Sequence, residues 1–155
     1  LEPSPCLYVD ADACPVKDEV YRVAERYGLA VKVVANAFLQ VPVGARVERV
    51  IVEAGPDAAD DWIAERAGKG DIVISSDIPL AARCLKAGAQ VLGPSGRRFT
   101  EDSIGAALAA RSIGEHLRSV GETTRGPAPF AAADRSRFLQ TLDEAVHRAR
   151  RALRP

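Results

Sequence analysis

Asp10 and Asp12 stand two residues apart where the apolar run Leu7-Tyr8-Val9 ends, and Cys14-Pro15 follows them. In an extended backbone residues i and i+2 face the same side, so the two carboxylates are expected within about 6–7 Å of each other. At that range and an effective dielectric of about 20, two bare charges repel by roughly 2–3 kcal/mol. A fold keeps such a pair when a divalent cation, a shared proton or a basic partner offsets the repulsion. More acids follow. Asp57, Asp60 and Asp61 precede Trp62, and Asp77 ends the run Ile72-Val73-Ile74-Ser75-Ser76, with Pro79 just beyond. Magnesium and manganese take oxygen ligands and keep several waters. Such a cation binds a phosphate oxygen, lowers the pKa of a bound water and steadies a leaving group. Asp10, Asp12, Asp60, Asp61 and Asp77 are the metal-ligand candidates on this reasoning.

Each acid also has an ordinary role available to it. Asp12 suits the cap of the helix that follows, Asp57 the cap of the Trp62 helix, and Asp60 and Asp61 its dipole. Asp77 suits the start of the helix at Pro79. Phosphate-holding candidates are Lys17, Asn36, Ser75, Ser76, Arg97 and Arg98, all beside the ends of apolar runs. Cys14, just ahead of a helix start, is where a dipole can activate a thiolate, against the simpler reading of a small buried residue. His116 and His147 fall on predicted helix surfaces, remote in sequence from the acids.

The elements that must position these residues alternate. Strands are predicted at 6–10, 30–35, 47–52, 71–77 and 90–92. Between them lie a helix over 15–27 with Val16, Val20, Val23 and Ala24 inward, a loop over 37–45, a helix after Gly55-Pro56-Asp57, and a helix over 79–87. Pro15 suits the first helical turn and Gly28 the stop. Strands separated by helix-length segments imply a parallel sheet covered on both faces, a three-layer α/β sandwich with a mainly parallel five-stranded sheet. In such sheets ligands bind beyond the carboxyl ends of the strands, where the polar residues above fall. From about residue 100 to 155 the chain turns helical. Thr100 is placed as a cap, a loop is expected over 122–128, and a last helix from Asp134 carries Phe138, Leu142, Ala145, Val146 and Ala149 on one face. The expectation is one domain over residues 1–155 with a helical C-terminal extension.

Length and apolar content suit a single sizeable core. No run of eighteen apolar residues is present, which argues against a membrane partner. Three scattered cysteines, an odd number, read as reduced thiols and point to the cytoplasm. The net charge is zero, yet residues 1–110 hold 12 basic and 16 acidic side chains whereas residues 111–155 hold 9 arginines and 5 acids. An acidic front and an arginine-rich back are compatible with a metal site beside a polyanion-binding surface. The oligomeric state is left open, a homodimer through the amphipathic last helix included.

The segments Tyr8–Glu19 (YVDADACPVKDE), Gly55–Trp62 (GPDAADDW), Gly70–Arg83 (GDIVISSDIPLAAR), Gly126–Phe130 and Asp134–Leu139 resemble the YaiI/YqxD family of uncharacterised bacterial proteins, and the similarity runs from Tyr8 to about Leu142. More distantly the chain resembles the PIN-like nucleases, the NYN type among them. The resemblance implies a PIN-like, Rossmann-like fold, magnesium or manganese as cofactor and RNA as substrate. It matches Asp10 to the first-strand acid, Asp77 to the acid ending the fourth strand, with Ser75 before it, and Asp60 or Asp61 to the middle acid. These four are the catalytic candidates. Where NYN proteins carry a second fourth-strand acid, this chain has Pro79. A metal-dependent ribonuclease or phosphodiesterase is therefore expected. A non-catalytic RNA- or partner-binding module on the same fold is the alternative, and an aspartyl-phosphate phosphotransfer protein ranks below both.

Overall fold

The computed structural model describes residues 4–12, 14–42, 46–53, 55, 57–119 and 130–154, the side chains of 111–119 excepted. The loop over 122–128, Gly126–Pro129 and the side chain of His116 lie outside that set. Strand β1 (Cys6–Asp10) is followed by α1 (Lys17–Tyr27), β2 (Ala30–Ala35), β3 (Val47–Ile51), α2 (Ala58–Arg66) and β4 (Ile72–Ile74). Then come α3 (Ile78–Lys86), β5 (Gln90–Leu92), β6 (Arg98–Phe99), α4 (Glu101–Ser119) and α5 (Ala132–Leu153). The strands form one sheet in the order β3-β2-β1-β4-β5-β6. All neighbours run parallel except β5 and β6.

Alternation along the strands divides the core into two layers. Leu7, Val9, Val31, Val33, Ile72 and Ile74 pack against α1 and α5. Tyr8, Val73 and Val91 face the other way, against Ile63 of α2, Leu80 and Cys84 of α3, and Ile104 of α4. The result is a three-layer sandwich. In α5, Phe138, Leu142, Ala145 and Val146 are fully buried in the first layer, so this helix closes the sheet face rather than trailing from it.

Besides β4, which spans Ile72–Ile74 rather than the expected 71–77 and leaves Ser75–Asp77 to lead into the capped start of α3, three details differ from the sequence expectation. The sheet has a sixth strand. β6 is two residues long, and no alternation can announce a strand of that length. It pairs with β5 through a turn closed by the Gly93 N–H donating to the Arg97 carbonyl at 2.8 Å. Gly96 in that turn has φ 89°, and a Cβ there would sit 2.7 Å from the Arg137 backbone, so the turn is pressed against α5. Second, α1 begins at Lys17, with Val16 at its cap position. Pro15 therefore lies in the preceding turn and Asp12 does not cap the helix. Third, β1 ends at Asp10 and Asp12 sits in a turn, so the i, i+2 spacing of an extended strand does not apply to the pair.

The connection from β2 to β3 crosses without a helix in its described part. Leu39 and Val41 pack onto the α1 layer in its place. No helix among the described residues is long and apolar enough to cross a membrane.

Candidate functional site

The strand order reverses between β1 and β4. From β1 the chain steps outward to β2 and β3, and from β4 outward the other way to β5 and β6. The crevice beyond the carboxyl ends at such a reversal is where open α/β sheets bind ligands. β1 and β4 each deliver a polar side chain to that place. Val9 is level with Ile74, so the next pair along is Asp10 and Ser75, both on the α2/α3 side by the period of two.

Ser75 is 3% exposed, and its Oγ donates to Asp10 Oδ2 at 2.9 Å. Its backbone N–H extends the ladder by donating to the Leu92 carbonyl at 3.0 Å. The same Oγ accepts the Asp77 backbone N–H at 3.0 Å. The Asp77 carboxylate caps α3, with Oδ1 accepting the Leu80 N–H at 2.9 Å. Capping occupies one carboxylate oxygen, and Oδ2 makes no hydrogen bond among the described residues. Asp77 is thus both a helix cap and a wall of the crevice.

An open cavity of about 270 Å³ lies here, lined by Asp10, Asp12, Asp60 and Asp77, by Lys17 and Asn36, and on its rim by Phe38 and Leu39. Asp60 comes from the first turn of α2. Burial pushes the Asp60 carboxyl up to about 6, and the charges of Asp77, Asp10 and Asp57 push the same way against Arg83. Burial also raises Asp10, opposed by the Ser75 hydrogen bond and reinforced by Asp77 and Asp12. No ion pair involves Asp10, Asp12, Asp60 or Asp77 among the described residues. Lys17 lines the cavity with its Nζ donating to the Cys14 carbonyl at 3.0 Å.

Other expected site residues lie elsewhere. Asp61, one position from Asp60, points to α3 and pairs with Arg83 at 2.7 Å. Asp57 holds the cap position of α2 without a side-chain hydrogen bond. Ser76 is exposed and does not line the cavity. Arg97 lies over the Phe99 ring at 5.1 Å. Arg98 is on β6, three strands from β1, a separation of roughly 14 Å across a sheet. Several arginines of α5 are tied into the fold: Arg135 to Glu19 at 3.2 Å, Arg148 to Gln90 at 2.9 Å and Arg150 to the Tyr27 carbonyl at 3.0 Å. The Cys14 thiol is buried and pushed up by that burial, the opposite of an activated thiolate. His147 packs edge-on to Tyr27, 3.6 Å from Asp143.

Phe38 received no role from sequence reasoning. The signal available was an aromatic residue in the irregular connection between Asn36 and Pro42.

Among the described residues no three His, Cys, Asp or Glu side chains surround a common point closely enough to cage a metal. The donor set is nonetheless all oxygen, which excludes a thiolate or imidazole site. It resembles how magnesium is held, by one or two carboxylates with several retained waters.

The model of the uncharacterized BCR, YaiI/YqxD family matches residues 8–148. A UPF0178 protein of Caulobacter sp. (strain K31) is 65% identical over 148 residues, covering 96% of this chain and 98% of that one. Another from Caulobacter vibrioides (strain NA1000 / CB15N) is 62% identical over 146 residues, covering 94% and 95%. A third, from Nitrobacter winogradskyi, is 61% identical over 146 residues, covering 94% and 93%. The chain belongs to the YaiI/YqxD family.

Proposed function

We propose that this member of the YaiI/YqxD family is a divalent-cation-dependent phosphodiesterase acting on RNA, with Asp10, Asp60 and Asp77 as its cation-holding residues. The observation that carries this reading is that carboxylates from three separate segments line one cavity at the strand-order reversal, without an ion pair to neutralise them among the described residues. Structural carboxylates are ordinarily paired or left in open water. Of the four in this crevice Asp12 is exposed, whereas Asp10, Asp60 and Asp77 are half-buried, two of them with their protonation pushed upward, which a cation would relieve. The resemblance to PIN-like nucleases supports the same residues.

A bound magnesium or manganese ion supplies Lewis acidity toward a phosphate oxygen and a more acidic water. The chain's own residues do the rest. Ser75 commits its proton to Asp10, which opposes the upward push of burial and fixes the carboxylate in direction. Asp77 is held by its capping bond with one oxygen to spare. Asp60, protonated up to about pH 6, gives up its proton when it takes a cation. Lys17 and Asn36 stand on the cavity wall where a phosphate would sit. The free thiols of Cys6, Cys14 and Cys84 support a cytoplasmic site of action.

The test is incubation of purified protein with single-stranded RNA and manganese beside Asp10→Asn. Cleavage by the parent chain alone is expected. Equal cleavage by both would point to a contaminant. That no three carboxylates cage a common point among the described residues favours a second reading, an RNA-binding module without catalysis. It predicts salt-sensitive RNA binding and an intact substrate with any divalent ion.

A further inference from the structure

The mouth of the acidic cavity carries an aromatic ring that the proposed chemistry does not use. Phe38 lies in the connection after β2 and is 71% exposed, more than any other large apolar side chain among the described residues. The Arg49 guanidinium carbon is 4.2 Å from its ring centroid. Arg49 Nη1 also donates to the Leu39 carbonyl at 3.1 Å. One face of the ring is therefore covered by a cation that is itself fastened to the next residue of the loop, and the exposure of the ring leaves the opposite face to solvent. Ring, guanidinium and backbone are held together as a platform. Phe38 lines the same cavity as Asp10, Asp60 and Asp77, with Asn36 also on its wall.

We infer that Phe38 backed by Arg49 is a base-stacking subsite, taking the base of an unpaired nucleotide while an adjacent phosphate lies at the carboxylates. The inference rests on the phosphodiesterase reading and deepens it by naming a single strand as the substrate. Three features favour a nucleobase. A bare π face accepts any base and is sequence-tolerant. The guanidinium beneath the ring adds cation–π character and places positive charge beside a cavity whose acids repel phosphate. A base already paired in a duplex has both faces covered by its neighbours, so the platform admits only an unpaired one.

Fluorescence anisotropy with a labelled oligouridylate of about eight nucleotides, in calcium and monitored for intactness by gel, tests the site without requiring cleavage. Phe38→Ala is expected to weaken binding about 10-fold, within the range that stacking on an aromatic ring supplies. Phe38→Trp is expected to keep the affinity and to show indole quenching on binding that is absent from the parent chain, whose one tryptophan is Trp62. The oligouridylate should bind at least 10-fold tighter than uridine monophosphate and than a duplex of equal length. Unchanged affinity in Phe38→Ala, or no quenching in Phe38→Trp, would overturn the stacking site and leave the manganese cleavage result standing. Equal affinity for the mononucleotide or the duplex would overturn the single-strand assignment. Failure of the parent chain to bind the oligouridylate would overturn the RNA reading and this site together.

Discussion

Ser75 and Asp10 are 65 positions apart in the chain and 2.9 Å apart in the fold, joined by a hydrogen bond across neighbouring parallel strands. The same serine oxygen receives the Asp77 backbone N–H, so one buried hydroxyl sets the separation and orientation of two carboxylate-bearing segments. Replacing it with alanine removes both bonds and leaves the Asp10 carboxylate only the backbone of Asp12 as a donor. Loss of a hydrogen bond to a buried charged group costs about 1.5–3 kcal/mol. Ser75→Ala is expected to lose stability of that order in urea denaturation. It should also bind manganese more weakly than the parent chain, by calorimetry at neutral pH. Unchanged values in both would mean that the serine fills space only.

Asp60 predicts a pH dependence. Its carboxyl titrates near about 6 in the folded chain and near 3.9 when unfolded. Between those values the folded state holds a proton that the unfolded state has released. That contribution to stability is complete below pH of about 4 and is lost as pH rises through about 6. Asp60→Asn removes the dependence. Relative to the parent chain, the variant should gain about 1 kcal/mol between pH 4 and 7.5, the partial exposure of the group screening the rest. Paired urea melts across that range check it, and a constant difference would count against the raised titration. In the parent chain, manganese affinity should climb as pH passes 6, since the carboxylate must be ionised to bind.

Asp60 and Asp61 separate two roles within one helical turn. A step of one residue turns a side chain by about 100°, which sends Asp60 to the cavity and Asp61 to Arg83. Asp61→Asn breaks an exposed ion pair worth about 0–1 kcal/mol. It should leave manganese binding and any RNA cleavage at the parent level. Asp60→Asn and Asp77→Asn should each weaken manganese binding 10-fold or more. A thermal-shift titration with manganese distinguishes the three, and equal losses at Asp60 and Asp61 would dissolve the distinction.

That distinction marks the limit of what the residue string discloses. Apolar runs followed by aspartate made the end of β1 readable and placed β4, though β4 stops at Ile74, three residues before Asp77, and a parallel sheet gathers its carboxyl ends on one edge. The stripe of Phe138, Leu142 and Ala145 made α5 readable by its period. Whether Asp60 or Asp61 reaches the crevice is set by how α2 packs, which turns Asp61 toward Arg83, 22 positions further on. The arginines of α5 looked like a free basic face, yet Arg135 is tied to Glu19 across 116 positions. Local pattern carries periodicity and composition, whereas pairing partners are set by packing. Phe38 was invisible for the related reason that a lone aromatic in an irregular loop has no period to betray its position.

The last helix offers a prediction about the fold as a whole. Phe138 and Leu142 are 0% exposed in the layer that holds Leu7, Ile72 and Leu92. An aromatic side chain buried to that degree costs about 3–5 kcal/mol when cut to alanine. That is a large share of the 5–15 kcal/mol that holds a typical domain together. Because Phe138 belongs to the core layer that holds Leu7 and Val9 of β1 and Ile72 and Ile74 of β4, the loss should spread to the site rather than release α5 alone. Phe138→Ala is therefore expected to lower the melting temperature steeply, in one cooperative transition, with manganese binding lost at the same temperature. If α5 melted separately while the acidic cavity still bound manganese, the helix would be an appendage after all. Arg135→Gln, which removes the cation paired with the buried Glu19 carboxylate but leaves the buried stripe intact, should cost about 1–3 kcal/mol. The contrast between the two variants measures how far α5 is held by its apolar face rather than by its arginines.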